Sequence, residues 1–261
     1  MATPRVLLAA ALAALTLGGT GCSSLRYKET HELWRESDAH FDAGRYDEAV
    51  PYYDELLRRE EYRAQTLRGV AEERMGDDSS ASSDYAEAGS RGEARAQLYL
   101  ANLHIRNGAY DLAEQDLAAL RGLSLGTREQ LLQLTLVGTL RLEQGNPRLA
   151  AQSLERAAQL GASYRDGASR KHLADAHYNA SAAYYQLGDF GRAYSHLERY
   201  AELSPPSAED SYHLGLLAYL AGDFGASEAH LQRADPALVS QARATLDDPS
   251  FGATVREGSY E

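Results

Sequence analysis

The chain has 261 residues, 44% of them hydrophobic, and 38 acidic side chains against 26 basic ones give a formal net charge of −12. The apolar share is enough for a packed core and excludes compositional disorder. The acidic balance excludes a broad phosphate-gripping surface for nucleic acid, and a single cysteine excludes an internal disulfide framework.

The N-terminus reads as an export signal. Arg5 precedes an unbroken apolar or small run, Val6 to Leu17. That run is shorter than the roughly 20 residues needed to span a bilayer, and it suits the core of a signal peptide. It leads into Gly18-Gly19-Thr20-Gly21-Cys22-Ser23-Ser24. Small residues before a lone cysteine resemble the lipobox of bacterial lipoproteins, with Gly19 standing where that family prefers Leu. The resemblance implies cleavage before Cys22 and lipid on Cys22. Ser23 resembles the outer-membrane sorting choice, with the chain facing the periplasm. Plain secretion with a free thiol is the alternative, but an unpaired thiol is a liability in an oxidising compartment.

Six glycines then mark a repeat: Gly44, Gly76, Gly108, Gly145, Gly188 and Gly222, spaced by 32, 32, 37, 43 and 34 residues. Seven residues before each stands a small side chain: Ser37, Gly69, Ala101, Gly138, Ser181 and Gly215. Five after stands another: Ala49, Ala81, Ala113, Ala150, Ala193 and Ser227. Nine after stands a large one: Tyr53, Tyr85, Leu117, Leu154, Leu197 and Leu231. Two after comes Tyr46, Asp78, Tyr110, Pro147, Phe190 and Phe224. Helical hairpins explain the columns. The glycine turns the chain between helix A and helix B, the small pair lets them approach, and the large residue is expected to fill the space between one hairpin and the next.

These columns resemble the tetratricopeptide repeat of about 34 residues, best seen in Ala43-Gly44-Arg45-Tyr46-Asp47-Glu48-Ala49 and Leu187-Gly188-Asp189-Phe190-Gly191-Arg192-Ala193, with Leu214-Gly215 and Pro205-Pro206 in support. The resemblance implies an all-α, right-handed superhelical solenoid of about six hairpins. The expected boundaries are 1–21 for the signal peptide, 22–29 for a lipidated linker, 30–247 for the repeats with a capping helix from Pro236 to Leu246, and 248–261 for a tail. Asp78 and the polar run Ser79 to Ser83 predict a weak second helix in unit two. Pro147 suits the first position of a helix. The extra residues near Ala162–Lys171 predict a loop or an extended helix end.

In the repeat family, helix A lines a concave face with four recurring positions. Mapped here, they give Trp34, Phe41, Arg63, Arg95, Asn102, Tyr178, Tyr185, Tyr212 and Tyr219 as the candidate partner-binding groove, with Leu98, Ile105 and Leu216 in the same rows. Aromatic anchors suit a peptide or helix in a groove; packing between repeats accounts for the same tyrosines, and both readings stand. Arg63, Arg74, Arg95 and Arg106 suit either an acidic partner segment or a solvated arginine face. The paired Asn and Lys of carboxylate-clamp repeats are missing, since only Asn102 falls in the matching row.

No phosphate-binding loop, nucleophile elbow or zinc-protease helix motif occurs. His172 and His177, five apart, face different sides of a helix and make a weak metal pair. The expectation is a non-enzymatic protein-binding scaffold, without cofactor, metal, nucleic acid or small-molecule substrate, lipid-anchored on the periplasmic face of the outer membrane. Size, lipid signal and repeat count resemble the pilotin lipoproteins that help the type IV pilus secretin assemble, and the repeat lipoproteins of gliding-motility complexes. The alternatives are a component of outer-membrane protein assembly or a general repeat adaptor.

Overall fold

The computed structural model describes residues 24–163 and 167–240. The signal segment, Cys22, the end of the expected capping helix and the tail lie outside the described residues. Among those described there is no strand. Among the described residues five helix pairs pack as hairpins in chain order: α1 (Thr30–Asp42) with α2 (Tyr46–Arg58), α3 (Arg63–Met75) with α4 (Asp78–Ser90), and, after α5 (Ala94–Arg106) and α6 (Tyr110–Ala119), α7 (Thr127–Glu143) with α8 (Pro147–Gly161), α9 (Gly167–Gln186) with α10 (Phe190–Leu203), and α11 (Ala208–Leu220) with α12 (Phe224–Leu231). Pro236 to Ser240 begin a further helical turn. The chain divides into two compact units, with the boundary inside α5 between Leu103 and His104.

All six repeat glycines adopt positive φ. At Gly76, φ is 84° and the residue caps α3, its N–H donating back to the Glu73 carbonyl. A side chain there would be strained, so glycine is the residue that ends the helix and redirects the chain.

The small and large columns meet inside each hairpin. A Cβ added at Gly69 would come within 2.8 Å of the Tyr85 ring, and one at Gly215 within 2.6 Å of Leu231. One at Gly138 would overlap Leu154. The large residue therefore seats on the small residue of its own helix A, which corrects the expectation that it only fills space between hairpins. Tyr85 does both, since its ring also meets Tyr99 of α5 at 5.6 Å. The alanine column is fully buried at Ala49, Ala81, Ala113, Ala150 and Ala193.

Unit two of the repeat departs from expectation. The Ser79 to Ser83 run is helical throughout. Asp77 caps α4 by accepting from the Ser80 N–H at 3.1 Å, which offsets the low helix propensity of serine. Ala81, Tyr85 and Ala88 of α4 are buried, so packing overrides propensity. Pro147 opens α8 as read. The extra residues lengthen α9 to 20 residues. Its first turns pack on the end of α8, where a Cβ at Gly161 would lie 2.7 Å from Leu173.

The segment expected as a linker is docked. Leu25 is buried among Leu33, Ala49, Tyr53 and Leu56. Arg59, the residue that caps α2, donates to the carbonyls of Leu25 and Arg26 and to the Thr30 hydroxyl at 3.2–3.3 Å. A buried apolar side chain and a guanidinium clamp hold residues that composition alone marks as loop.

In the first compact unit, Arg68 of α3 is the central cation. It donates twice to Asp84 of α4, at 2.6 and 2.7 Å, and once to Asp54 of α2 at 2.6 Å. Gln65 also donates to Asp84 at 2.8 Å.

Adding one methyl group at Gly138 should force Leu154 off its seat. Gly138→Ala is expected to lower unfolding free energy by about 1–3 kcal/mol in urea titrations. Leu154→Ala alone should also destabilise, by about 2–4 kcal/mol, yet the double variant should lose clearly less than the sum.

Candidate protein-binding cleft

Helices α9 and α11 form an open cleft of about 480 Å³ in the second compact unit. Tyr178, Ser181, Ala182 and Tyr185 reach it from α9, and Tyr212, His213 and Leu216 from α11. Leu197 of α10 and Leu217 close its floor. Helical periodicity places 178, 181 or 182 and 185 on one face, and 212 and 216 on another. Ser181 is buried beside helix B, so the seat that fixes the hairpin also aims the tyrosines.

The two sequence readings of these tyrosines both describe part of each ring. Tyr178 packs edge-on against Tyr200 of α10 at 5.2 Å, and Tyr185 lies tilted against Phe190 at 5.8 Å. Yet Tyr178 remains 42% exposed and Tyr185 44% exposed. One side of each ring is fixed by the protein and the other is open.

The remaining candidate residues do not join this cleft. Tyr219 meets Phe224 edge-on at 5.3 Å, and Phe41 meets Tyr46 in the same way at 5.2 Å. Tyr185 and Phe190 hold equivalent positions, so the aromatic three residues before each of these glycines braces the one two residues after. Both columns were visible in the sequence, but their pairing across the turn was not. Trp34 is partly buried against Tyr53 at 6.5 Å. Leu98 and Ile105, in the same rows, are buried, so those rows do not form a continuous lining. Asn102 is half-buried, and Arg63, Arg74, Arg95 and Arg106 are exposed.

A polar cluster that sequence reasoning missed lies between α8, α9 and α10. His177 Nδ1 is 2.9 Å from His196 Nδ1. His196 Nε2 is 3.5 Å from Glu155, which accepts from the Tyr184 hydroxyl at 2.8 Å. Tyr184 stacks on His196 at 5.4 Å, and the Arg192 guanidinium lies 5.1 Å from its ring centroid. Two facing Nδ1 atoms share one proton, so one imidazole donates and the other accepts. Burial pushes the His177 pKa down to about 4; His196 and Arg199 push the same way, while Glu155 and Glu202 oppose. His172 is not the partner of His177; the true partner is nineteen residues along, across the hairpin.

In the first unit, burial and the neighbouring Asp84 push Glu72 up to about 7, against the pull of Arg68. Its Oε2 is buried with no donor facing it. Among the described residues, no group of three His, Cys, Asp or Glu side chains could hold a metal ion, and no helix is long and apolar enough to cross a membrane.

Residues 35–90 and 178–242 match the tetratricopeptide repeat family model. The hairpins within those two stretches, under half of the chain, are similar to tetratricopeptide repeats. No curated protein sequence matches the chain. Among solved structures, PilF of Pseudomonas aeruginosa is similar at a TM-score of 0.65 and 15% identity, over 91% of this chain and all of that one. PilW, described as a widely conserved type IV pilus biogenesis factor, is similar at 0.62 and 16%, over 87% of this chain and 98% of that one. A chain of the APC/C assembly Cut9-Hcn1 is similar at 0.63 and 17%, over 91% of this chain. This chain spans about half, 48%, of that one. At such identities the likeness establishes the repeat fold.

The two perturbed groups give opposite pH responses. His177 binds its proton more weakly folded than unfolded, so its contribution is complete above the ordinary histidine pKa and falls as pH drops from about 6.5 towards 4. Glu72 binds its proton more tightly folded, so its contribution is complete below about 4.5 and is lost as pH rises to about 7. His177→Gln should flatten the acid-side loss of thermal stability. Glu72→Gln should raise stability at pH 8, by about 1–2 kcal/mol, and leave it little changed at pH 4. Melting curves across pH for each variant would check both signs.

Proposed function

We propose that this protein is a lipoprotein of the outer membrane that faces the periplasm and holds a protein partner of an envelope machine, of the kind that builds the type IV pilus secretin or a motility complex. The role is non-enzymatic: the repeats present surfaces, and the partner supplies the activity. The observation that carries the binding reading is the open cleft of Tyr178, Tyr185, Tyr212 and Leu216, in which the Tyr178 and Tyr185 rings are each packed against an aromatic neighbour yet remain exposed. Large, rigid aromatic surfaces with polar tips suit protein recognition.

The anchoring reading rests on the apolar run, the small residues before Cys22 and the lack of any other cysteine. The similarity of fold to PilF and PilW favours the pilus version over other envelope machines. A multiply acylated N-terminus suffices for stable membrane attachment.

Cys22→Ala should remove the protein from the outer-membrane fraction and shift the processing of its precursor. Outer-membrane fractionation unchanged by that substitution would refute the anchor. Deleting the gene should remove heat-stable secretin multimers and surface motility; normal multimers and normal motility would refute the pilus and motility version.

A further inference from the structure

The cleft has neutral walls and an acidic end. Asp175 lies one turn before Tyr178 on the same face of α9. The first turn of α11 carries Glu209 and Asp210, and both act electrostatically on the Tyr178 phenol, whose pKa is raised chiefly by burial. Asp210 is occupied by the helix cap, where it accepts from the Ser207 N–H and hydroxyl at 2.9 and 2.8 Å. Glu209 is exposed and Asp175 half-buried. Burial pushes the Asp175 carboxyl up, and among the described residues the charge that opposes this is Lys171, one turn earlier.

A partly desolvated carboxylate gains most from a cation that arrives with good geometry. Two neighbouring arginines are committed elsewhere. Arg170 donates to the carbonyls of Leu203 and Glu202 at 3.0 and 3.1 Å, and Arg199 holds Glu202 at 2.8 Å. The open tyrosine faces beside the carboxylates also favour a cation over an anion. The net charge of −12 steers cationic partners towards the chain and acidic ones away.

We infer that the cleft takes a segment of a partner protein in which an aliphatic or aromatic side chain, seated between Tyr178, Tyr212 and Leu216, is followed within a few residues by an arginine or lysine that meets Asp175 and Glu209. This rests on the protein-binding reading of the cleft and adds the chemistry of its ligand. The apolar side chain supplies buried area, and the cation sets which way the segment runs.

The test is selection of random twelve-residue displayed peptides on the immobilised full chain, followed by calorimetry with a synthetic copy of an enriched sequence. Enriched peptides should pair Leu, Phe, Tyr or Trp with a nearby Arg or Lys. Their affinity should fall about tenfold, about 1.4 kcal/mol, in Asp175→Asn/Glu209→Gln, and should fall with salt. Tyr178→Ala/Tyr212→Ala should abolish binding. Gln186→Arg, at an exposed position on the rim, should weaken it without touching the core, which keeps the test sound if the tyrosine variant fails to fold. Neutral or acidic peptides that are lost in the tyrosine or rim variants would overturn the charge inference and leave the cleft reading standing. Peptides indifferent to the tyrosine and rim variants, or no enrichment, would overturn both.

Discussion

The structure depends on one contact repeated along the chain: a large side chain of helix B lying on a residue of helix A that has almost none. Tyr85 on Gly69, Leu154 on Gly138 and Leu231 on Gly215 are its tightest instances. Dispersion energy falls steeply with separation, so the benefit exists only if the helices approach closely, and a single methyl group would hold them apart. The contact also fixes rotation. Once Ser181 or Gly215 faces helix B, the other residues of helix A have no freedom left, and the side chains at 178, 185, 212 and 216 must point where they do. The binding face is thus a consequence of the packing face.

That constraint is also why the fold was legible in one sequence. Small and large columns at fixed distances from a turn glycine are a spatial contact written as a spacing, and six copies of it leave no room for coincidence. What was misread lay where local and tertiary terms conflict. The serine run of α4 has weak propensity, but an aspartate cap and the buried Tyr85 outweigh it. Residues 24–29 look like a tether, yet Leu25 fills a gap in the first hairpin and Arg59, more than thirty residues away, ties its backbone down. No window of sequence short enough to scan by eye contains both partners.

The cleft was only partly legible for a related reason. The four rows of helix A predict direction, not depth. In α9 and α11 they emerge at a surface, while at Leu98 and Ile105 the same rows are buried. Tyr219 and Phe41 follow the row pattern but do not line the cleft. The His177–His196 pair carried no usable spacing signal, because residues that face each other across a hairpin are separated by whatever the turn and helix lengths dictate.

Rigidity and openness are usually opposed in an aromatic side chain: a ring that packs well is buried, and one that is exposed samples many rotamers. The cleft resolves this by division of each ring. Tyr178 packs edge-on with Tyr200 and Tyr185 lies tilted against Phe190, so less rotamer entropy remains to be lost when a ligand covers the exposed part of each ring. The partly buried polar cluster of His177, His196, Glu155 and Tyr184 ties α8, α9 and α10 by hydrogen bonds with directional demands. A purely apolar interface would tolerate sliding, whereas these bonds tolerate little. The helix that carries Tyr178 is therefore held in register by the residue immediately before it, and the precision of the cleft derives from imidazoles that never reach it.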